Sequence, residues 1–140
     1  MTAKYTFGKA ERLCSHKVIE ALFAGGNKSI SAYPIRAVYM PLSEVQMASM
    51  AGATAPVQVM ISVSKRHFKH AVDRNRVKRQ IREAYRLNKH QLLSTIPEGR
   101  GMALAFIWLT SEHYDTKVVE EKVRKLLVRV VEDASYGTGS

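Results

Sequence analysis

The stretch that decides the fold is residues 65–89, which read KRHFKHAVDRNRVKRQIREAYRLNK. It holds ten of the chain's 22 lysine and arginine residues and only two acids, Asp73 and Glu83. Like charges at this density repel one another, so a folded domain tolerates them mainly where a polyanion supplies the opposite charge. The stretch therefore predicts a nucleic-acid partner.

Apolar residues in this stretch recur with a helical period. Val77, Ile81 and Ala84 lie on one stripe of a predicted helix over 71–86, and the edge of that stripe carries Tyr85. Basic side chains four residues apart stand about 6 Å apart along such a helix, comparable with successive phosphates of a nucleic-acid backbone. One asparagine and five basic residues fill the adjoining arc of roughly 140°: Arg74, Asn75, Lys78, Arg79, Arg82 and Arg86.

The residues before this helix predict one helix and two strands. A first helix begins after Ser15, a typical N-cap residue, and ends at Gly25–Gly26. Residues 35–40 (IRAVYM) and 57–63 (VQVMISV) alternate as strands do. Between them, residues 43–55 (SEVQMASMAGATA) have no strong period. They predict a long, mobile hairpin connection with room for a short helical turn.

The residues after the basic helix predict one strand and a last helix. The apolar run 102–109 (MALAFIWL) is typical of a central strand that is covered on both faces. The last helix begins near Asp115 or Thr116, and its apolar positions are helically spaced: Val119, Val123, Leu126, Leu127, Val130 and Val131. The predicted order is α, two or three strands, α, strand, α, which makes one mixed sheet packed by helices.

Composition limits the class of protein. With 140 residues, of which 46% are hydrophobic, the chain suits one globular domain rather than a disordered basic tail. Its formal net charge of +10 and its pI near 9.9 favour an anionic partner. No apolar run approaches the roughly 18–20 residues that span a bilayer, and the N-terminus lacks the apolar core of a secretory signal. Cys14, the single cysteine, fits a reducing compartment, so we expect a cytoplasmic protein without a membrane partner.

Two segments resemble the signature of the bacterial ribonuclease P protein component. Residues 64–66 (SKR) and 71–83 (AVDRNRVKRQIRE) match a strand ending in S-K-K or similar, followed by a basic helix of pattern A-x-x-R-N-R-x-K-R-x-x-R-E. A looser similarity extends to Phe7, Leu13, Phe23 and Tyr39. There are two departures from the family pattern. Residues 43–55 are longer than the usual connection, and Met60 stands where a glycine often precedes the strand's end.

The resemblance implies a fold more specific than the pattern alone predicts. It implies a single α/β domain of the α+β sandwich kind, in which the order αβββαβα gives a mixed four-stranded sheet packed by helices. It also implies a left-handed βαβ crossover, against the usual right-handed preference. We expect one RNA-binding domain over residues 1–134 and a frayed C-terminal tail over 135–140.

The resemblance also implies a function. Proteins of this family join a large catalytic RNA, ribonuclease P RNA, to remove the 5′ leader of precursor tRNA. Magnesium ions held by the RNA carry out the hydrolysis, and the protein supplies no catalytic side chain. We therefore expect an accessory subunit of an endoribonuclease, with ribonuclease P RNA and precursor tRNA as partners and no obligate protein partner evident.

Two sets of RNA-binding residues follow from the resemblance, and neither contains a catalytic or metal-binding side chain. The set expected to contact the catalytic RNA lies on and before the basic helix: Lys69, His70, Arg74, Asn75, Arg76, Lys78, Arg79, Arg82 and Arg86. The set expected to hold the single-stranded leader lies in a cleft between the first helix and the sheet: Phe23, Tyr39, Ser62, Lys65 and Arg66. Aromatic rings there could stack on leader bases.

The sequence pattern alone does not decide which residues line the cleft. Alternation does not reveal which face of the sheet Tyr39 uses, and an aromatic residue that closes a helix, such as Phe23, is core about as often as a stacking platform. The more polar positions of the second strand, Gln58, Met60 and Ser62, are the candidates for the floor of the cleft.

Other classes of function explain less of the sequence. A ribosomal protein could use a similar helix to clamp folded RNA, and this alternative stays open on charge pattern alone. A helix-turn-helix DNA reader would need a short helix and a turn before the basic helix, where a strand is predicted instead. His67 and His70 lack the cysteine or acidic partner that a zinc site requires.

Overall fold

The computed structural model describes residues 11–49 and 55–134. Within these ranges the chain forms five helices and four strands. Their bounds are α1 His16–Phe23, β1 Lys28–Ala32, β2 Ile35–Leu42, α2 Glu44–Ser49, β3 Val57–Ser62, α3 Ala71–Asn88, α4 His90–Thr95, β4 Gly101–Trp108 and α5 Thr116–Ala134.

The four strands form one mixed sheet in the order β1-β2-β4-β3. β2 pairs antiparallel with both β1 and β4, whereas β3 pairs parallel with β4. The apolar run predicted to be central is β4, which lies between β2 and β3 and is buried along nearly its whole length. The mixed four-stranded sheet packed by helices is therefore confirmed. The handedness of the β3–α3–β4 crossover stays a prediction.

The main core lies between one face of the sheet and helices α3 and α5. Leu104 and Phe106 of β4 point to this face and are fully buried, as are Val77 and Ile81 of α3. The predicted stripe of α5 is buried here too, and its last member is half-buried: Val119, Val123, Leu126, Leu127, Val130 and Val131. Tyr85, expected at the edge of the α3 stripe, is fully buried within it.

A smaller core lies on the opposite face, under α1. Ala103 and Ala105 of β4 point to this face, and their short side chains leave room for a helix to pack close to the sheet. Val18 and Leu22 fill that space from α1, and Leu13 joins them from the segment before the helix. The sheet is therefore covered on both faces, as the apolar run of β4 predicted.

Both predicted ends of α1 are confirmed. Ser15 is the N-cap, and its hydroxyl accepts a hydrogen bond from the amide of Val18 at 3.4 Å. Gly25 and Gly26 follow the helix with φ of 101° and 82°, a conformation that side-chain-bearing residues rarely adopt. The side-chain amide of Asn27 donates to two carbonyls of the last turn, which fixes the chain as it leaves the helix.

The observed order contains elements that the pattern did not predict. β1 was not identified from its residues, although the resemblance implied a third strand in this region. One short helix, α4, is additional, whereas α2 lies in the connection 43–55, which was expected to have room for a short helical turn. The similarity noted at Phe7, the rest of that connection over 50–54, and the predicted tail over 135–140 lie outside the described residues.

Candidate nucleic-acid interface

The solvent face of α3 carries most of the predicted cations. Asn75, Arg76, Arg79 and Arg82 are exposed, and Lys78 is half-buried beside them. Within residues 11–49 and 55–134, no salt bridge joins Arg76 or Arg79 to a carboxylate. Positive charge that the domain itself does not balance attracts phosphate. The structure thus places these five predicted residues together on and beside one accessible surface.

The side chain of Arg74 hydrogen-bonds to the backbone of its own domain. One nitrogen of its guanidinium, Nη1, donates to the carbonyl oxygens of Phe68 and Lys69, both at 2.9 Å. These bonds fix the loop that leads into α3 and carries Lys69 and His70, both of which are exposed. Arg74 therefore positions two other predicted contacts. That its other guanidinium nitrogens contact a phosphate stays a prediction.

Arg86, another predicted phosphate contact, is paired within α3. Its guanidinium makes an ion pair and hydrogen bonds with Glu83, one turn earlier on α3, including a contact of 3.1 Å from Nε to Oε2. The hydrogen bond from Arg86 holds the pKa of Glu83 below its ordinary value. Because Glu83 balances part of this charge within the helix, Arg86 adds less to the positive surface than Arg76 or Arg79, and its role as a phosphate contact stays a prediction.

An open cleft lies on the α1 face of the sheet. The strand register aligns Arg36 with Ile107, and Ile107 with Ser62, so their side chains form one row across β2, β4 and β3. Between the Arg36 and Ile107 part of this row and the end of α1 is a space of about 310 Å³, which Ser62 does not line. Phe23 lines this cleft and is 45% exposed, which leaves its ring accessible to a base. The placement predicted for Phe23 is therefore confirmed, and its contact with RNA stays a prediction.

Tyr39 lies on the other side of the sheet. It is only 3% exposed and packs in the core under α3 and α5, and its hydroxyl donates to Asp133 of α5. That hydrogen bond, together with the nearby ammonium of Lys28, lowers the pKa of Asp133. The prediction that Tyr39 stacks on leader bases is wrong, because a buried ring with a satisfied hydroxyl presents no face to RNA.

The remaining predicted leader residues lie at one end of the cleft row. Ser62 is half-buried in the row, and Lys65 and Arg66 are exposed in the turn after β3. In that turn the hydroxyl of Ser64 accepts a hydrogen bond from the amide of Arg66 at 3.0 Å. Of the other two floor candidates, Met60 is half-buried on this face, whereas Gln58 is only 1% exposed and contributes no open surface.

Sequence reasoning missed one cation of the cleft, Arg36. It is exposed on β2, and its Nε donates to the hydroxyl of Ser29 on β1 at 2.7 Å, which leaves the terminal nitrogens for a ligand. The signal was present, because Arg36 shares its strand parity with Val38 and Met40. This signal could be used only once the structure showed that α1 packs on the face to which Arg36, Val38 and Met40 point.

The described residues contain no cluster of metal-ligating side chains. Magnesium prefers carboxylate and carbonyl oxygens. In the part of the chain that the structure describes, no group of three or more histidine, cysteine, aspartate and glutamate residues could hold a metal. In the same ranges, no helix combines the length and the apolar character that crossing a membrane would require.

Comparison with known proteins agrees with the fold and the basic helix. The family model described as ribonuclease P matches residues 7–131. The ribonuclease P protein component of Porphyromonas gingivalis strain W83 is 41% identical over 133 residues, covering 93% of this chain and 91% of the relative.

Solved structures agree as well. The ribonuclease P protein of Thermotoga maritima superposes with a TM-score of 0.62 at 25% identity, covering 85% of this chain and 96% of that one. The ribonuclease P protein of Staphylococcus aureus superposes with a TM-score of 0.64 at 19% identity, covering 89% of this chain and 97% of that one. At this identity the similarity supports the fold alone. The chain therefore belongs to the ribonuclease P protein family, the protein components of a tRNA-processing endoribonuclease.

Proposed function

We propose that this protein binds ribonuclease P RNA through the solvent face of α3 and the 5′ leader of precursor tRNA through the cleft beside α1. In this role it assists endonucleolytic removal of the leader. The observation that carries the proposal is the unbalanced charge on α3, where Arg76 and Arg79 are exposed and form no salt bridge with a described carboxylate. Each phosphate that such a cation neutralises releases bound counterions, which favours association at low salt.

The cleft has the chemistry that a single strand of RNA requires. Phe23 offers an exposed ring, and stacking on a ring is tolerant of base sequence because every base has a π-face. Arg36 offers a planar guanidinium that suits a phosphate or a base edge. Lys65 and Arg66 extend the positive charge beyond the end of β3. A leader of any sequence could therefore bind there.

The division of labour follows from the donor groups that are present. The two surfaces supply N–H donors and aromatic area, and among the described residues no three or more histidine, cysteine, aspartate and glutamate side chains are grouped to hold a metal ion. We propose that magnesium ions sit on the RNA, where they supply the hydrolytic chemistry, and that this chain binds and orients the two RNAs. We also propose a cytoplasmic location for the complex.

Reconstitution tests this proposal. Purified protein is added to the ribonuclease P RNA of the same organism, and 5′ cleavage of precursor tRNA is followed at low magnesium concentration. We expect faster cleavage than with the RNA alone. An equal rate with and without protein, under conditions where the protein is folded, would remove the proposed function. Equal binding to ribosomal RNA would instead favour the ribosomal alternative.

Replacing Phe23 tests the leader cleft. Phe23→Ala should weaken holoenzyme binding to precursor tRNA by about 1–3 kcal/mol, because one stacking platform is lost. Binding to mature tRNA, which has no leader, should not change. The matched control is Tyr33→Ala, which removes an aromatic ring that is 59% exposed but does not line the cleft. Equal losses for precursor and mature tRNA would place Phe23 outside the leader site.

A further inference from the structure

A second pocket lies at the open edge of the sheet, on the far side of β3 from β4. It has a volume of about 190 Å³ and is open to solvent. Its walls come from the segment before α1, from β3 and from α3: Arg12, Leu13, Val59, Met60, Ile61, Lys78 and Arg82. We call it the edge pocket. Neither the catalytic-RNA set nor the leader set includes Arg12.

The backbone at Arg12 is held by anchors on both sides. On one side, the amide of Leu13 donates to the carbonyl oxygen of Val59 at 2.9 Å, and the side chain of Leu13 is buried. On the other side, Glu11 forms an ion pair with Lys89, with Nζ 2.8 and 2.7 Å from the two carboxylate oxygens. Arg12 lies between these inward-pointing neighbours and is itself exposed.

The ion pair is nearly enclosed. The side chains of Lys89 and Glu11 are 5% and 12% exposed. Removing two charges from water costs free energy that their mutual attraction only partly offsets, so such a pair is weak grounds for stability alone. The structural consequence of the ion pair is that it fixes the position of residues 11–13 along the edge of β3. Arg12 is thereby kept beside the basic face of α3.

The lining of the edge pocket specifies a ligand with two parts. Arg12, Lys78 and Arg82 approach from two separate elements and place positive charge around the opening. Ile61 is half-buried and gives an apolar wall on the face of β3 that packs toward α3. A group that is anionic at one end and flat and apolar at the other fits both parts. A nucleotide has this chemistry, with its phosphate and its base.

We propose that the edge pocket takes one unstacked nucleotide of ribonuclease P RNA. Its phosphate lies among Arg12, Lys78 and Arg82, and its base lies against Ile61. This site rests on the proposed function, because Lys78 and Arg82 are shared with the α3 surface. It adds Arg12 as an RNA-binding residue and the edge of β3 as a surface that the catalytic RNA contacts.

Salt-dependent binding tests the phosphate contact. Arg12→Gln should lower the slope of log K against log salt for ribonuclease P RNA by about one unit, as the loss of one phosphate contact does. The matched control is Arg124→Gln, which removes an exposed arginine from α5 and should leave the slope unchanged. If wild type binds but Arg12→Gln keeps its full slope, the edge pocket is refuted while the proposed function stands. If wild type does not bind, the proposed function itself fails.

The native Cys14 provides a probe of the bound strand. It is exposed and lies two residues from Arg12, so an iron chelate attached to its thiol would generate radicals beside the edge pocket. We expect cleavage of ribonuclease P RNA confined to one short stretch, within which one base loses reactivity to base-modifying reagents when protein binds. Scattered cleavage would refute the pocket. Unchanged base reactivity throughout that stretch would refute insertion of the base.

Discussion

Replacing Arg76, Arg79 and Arg82 together with glutamine is expected to weaken binding to ribonuclease P RNA on the order of a hundredfold at physiological salt. All three side chains are exposed on α3. Each lost phosphate contact should lower the slope of log K against log salt by about one unit, so the triple variant should lose about three. The measurement is a titration of labelled RNA at several salt concentrations.

A second triple variant separates local charge from net charge. Lys117→Gln, Arg124→Gln and Lys125→Gln remove the same number of charges from the exposed positions of α5. This control should lower the salt slope by less than one unit, because α5 presents no continuous basic face. Thermal melts of both variants should match wild type, since exposed substitutions rarely change stability much. Equal loss of RNA affinity in the two variants would mean that overall charge, and not the α3 surface, drives binding.

Ile81→Ala is expected to lower the free energy of unfolding by about 2–5 kcal/mol. Ile81 is fully buried between α3 and the sheet, so the smaller side chain leaves a cavity in the main core. The basic face depends on this contact, because the buried stripe sets the rotation of α3 about its own axis. Urea denaturation of the purified protein gives the free energy of unfolding.

The matched control for this cavity lies on the same helix. Val72→Ala removes a β-branched side chain that is 78% exposed, and it should change the free energy of unfolding by less than about 0.5 kcal/mol. A loss below about 1 kcal/mol for Ile81→Ala would mean that α3 is not fixed by its apolar stripe. The orientation of its cations would then be unexplained.

The basic helix was predictable because its information is local. A helix has one period, so Val77 and Ile81 identify the buried stripe and leave the adjoining arc for the cations. Arg86 shows the limit of this reasoning. Its position on the arc was correct, but the partner that balances its charge is Glu83, and a helical wheel does not tell which neighbours will pair.

The strands were harder to interpret because their period only sorts residues into two sets. Parity puts Tyr39 and Arg36 in opposite sets, yet nothing local says which set α1 covers. Long-range pairing decides it, through the contact of Asp133 with Tyr39 across 94 residues of sequence. β1 was missed because KSISA is short and largely exposed, so it carries almost no hydrophobic alternation.

The edge pocket was not predictable for the same reason. Its geometry depends on the pairing of Glu11 with Lys89, which are separated by 78 residues. No periodicity links two such positions. The pairing of the segment before α1 with the edge of β3 is likewise a single bridge, at Arg12 and Val59, which is too short to give a strand pattern.

The most direct test of the central claim is to identify the RNA that this protein binds in its native cell. Ultraviolet crosslinking, purification of the protein and sequencing of the attached RNA would be done for wild type and for the α3 triple variant. We expect ribonuclease P RNA to be the most enriched species with wild type and to be largely lost with the variant. Preferential recovery of ribosomal RNA, or equal recovery of ribonuclease P RNA with both proteins, would contradict binding through the basic face of α3.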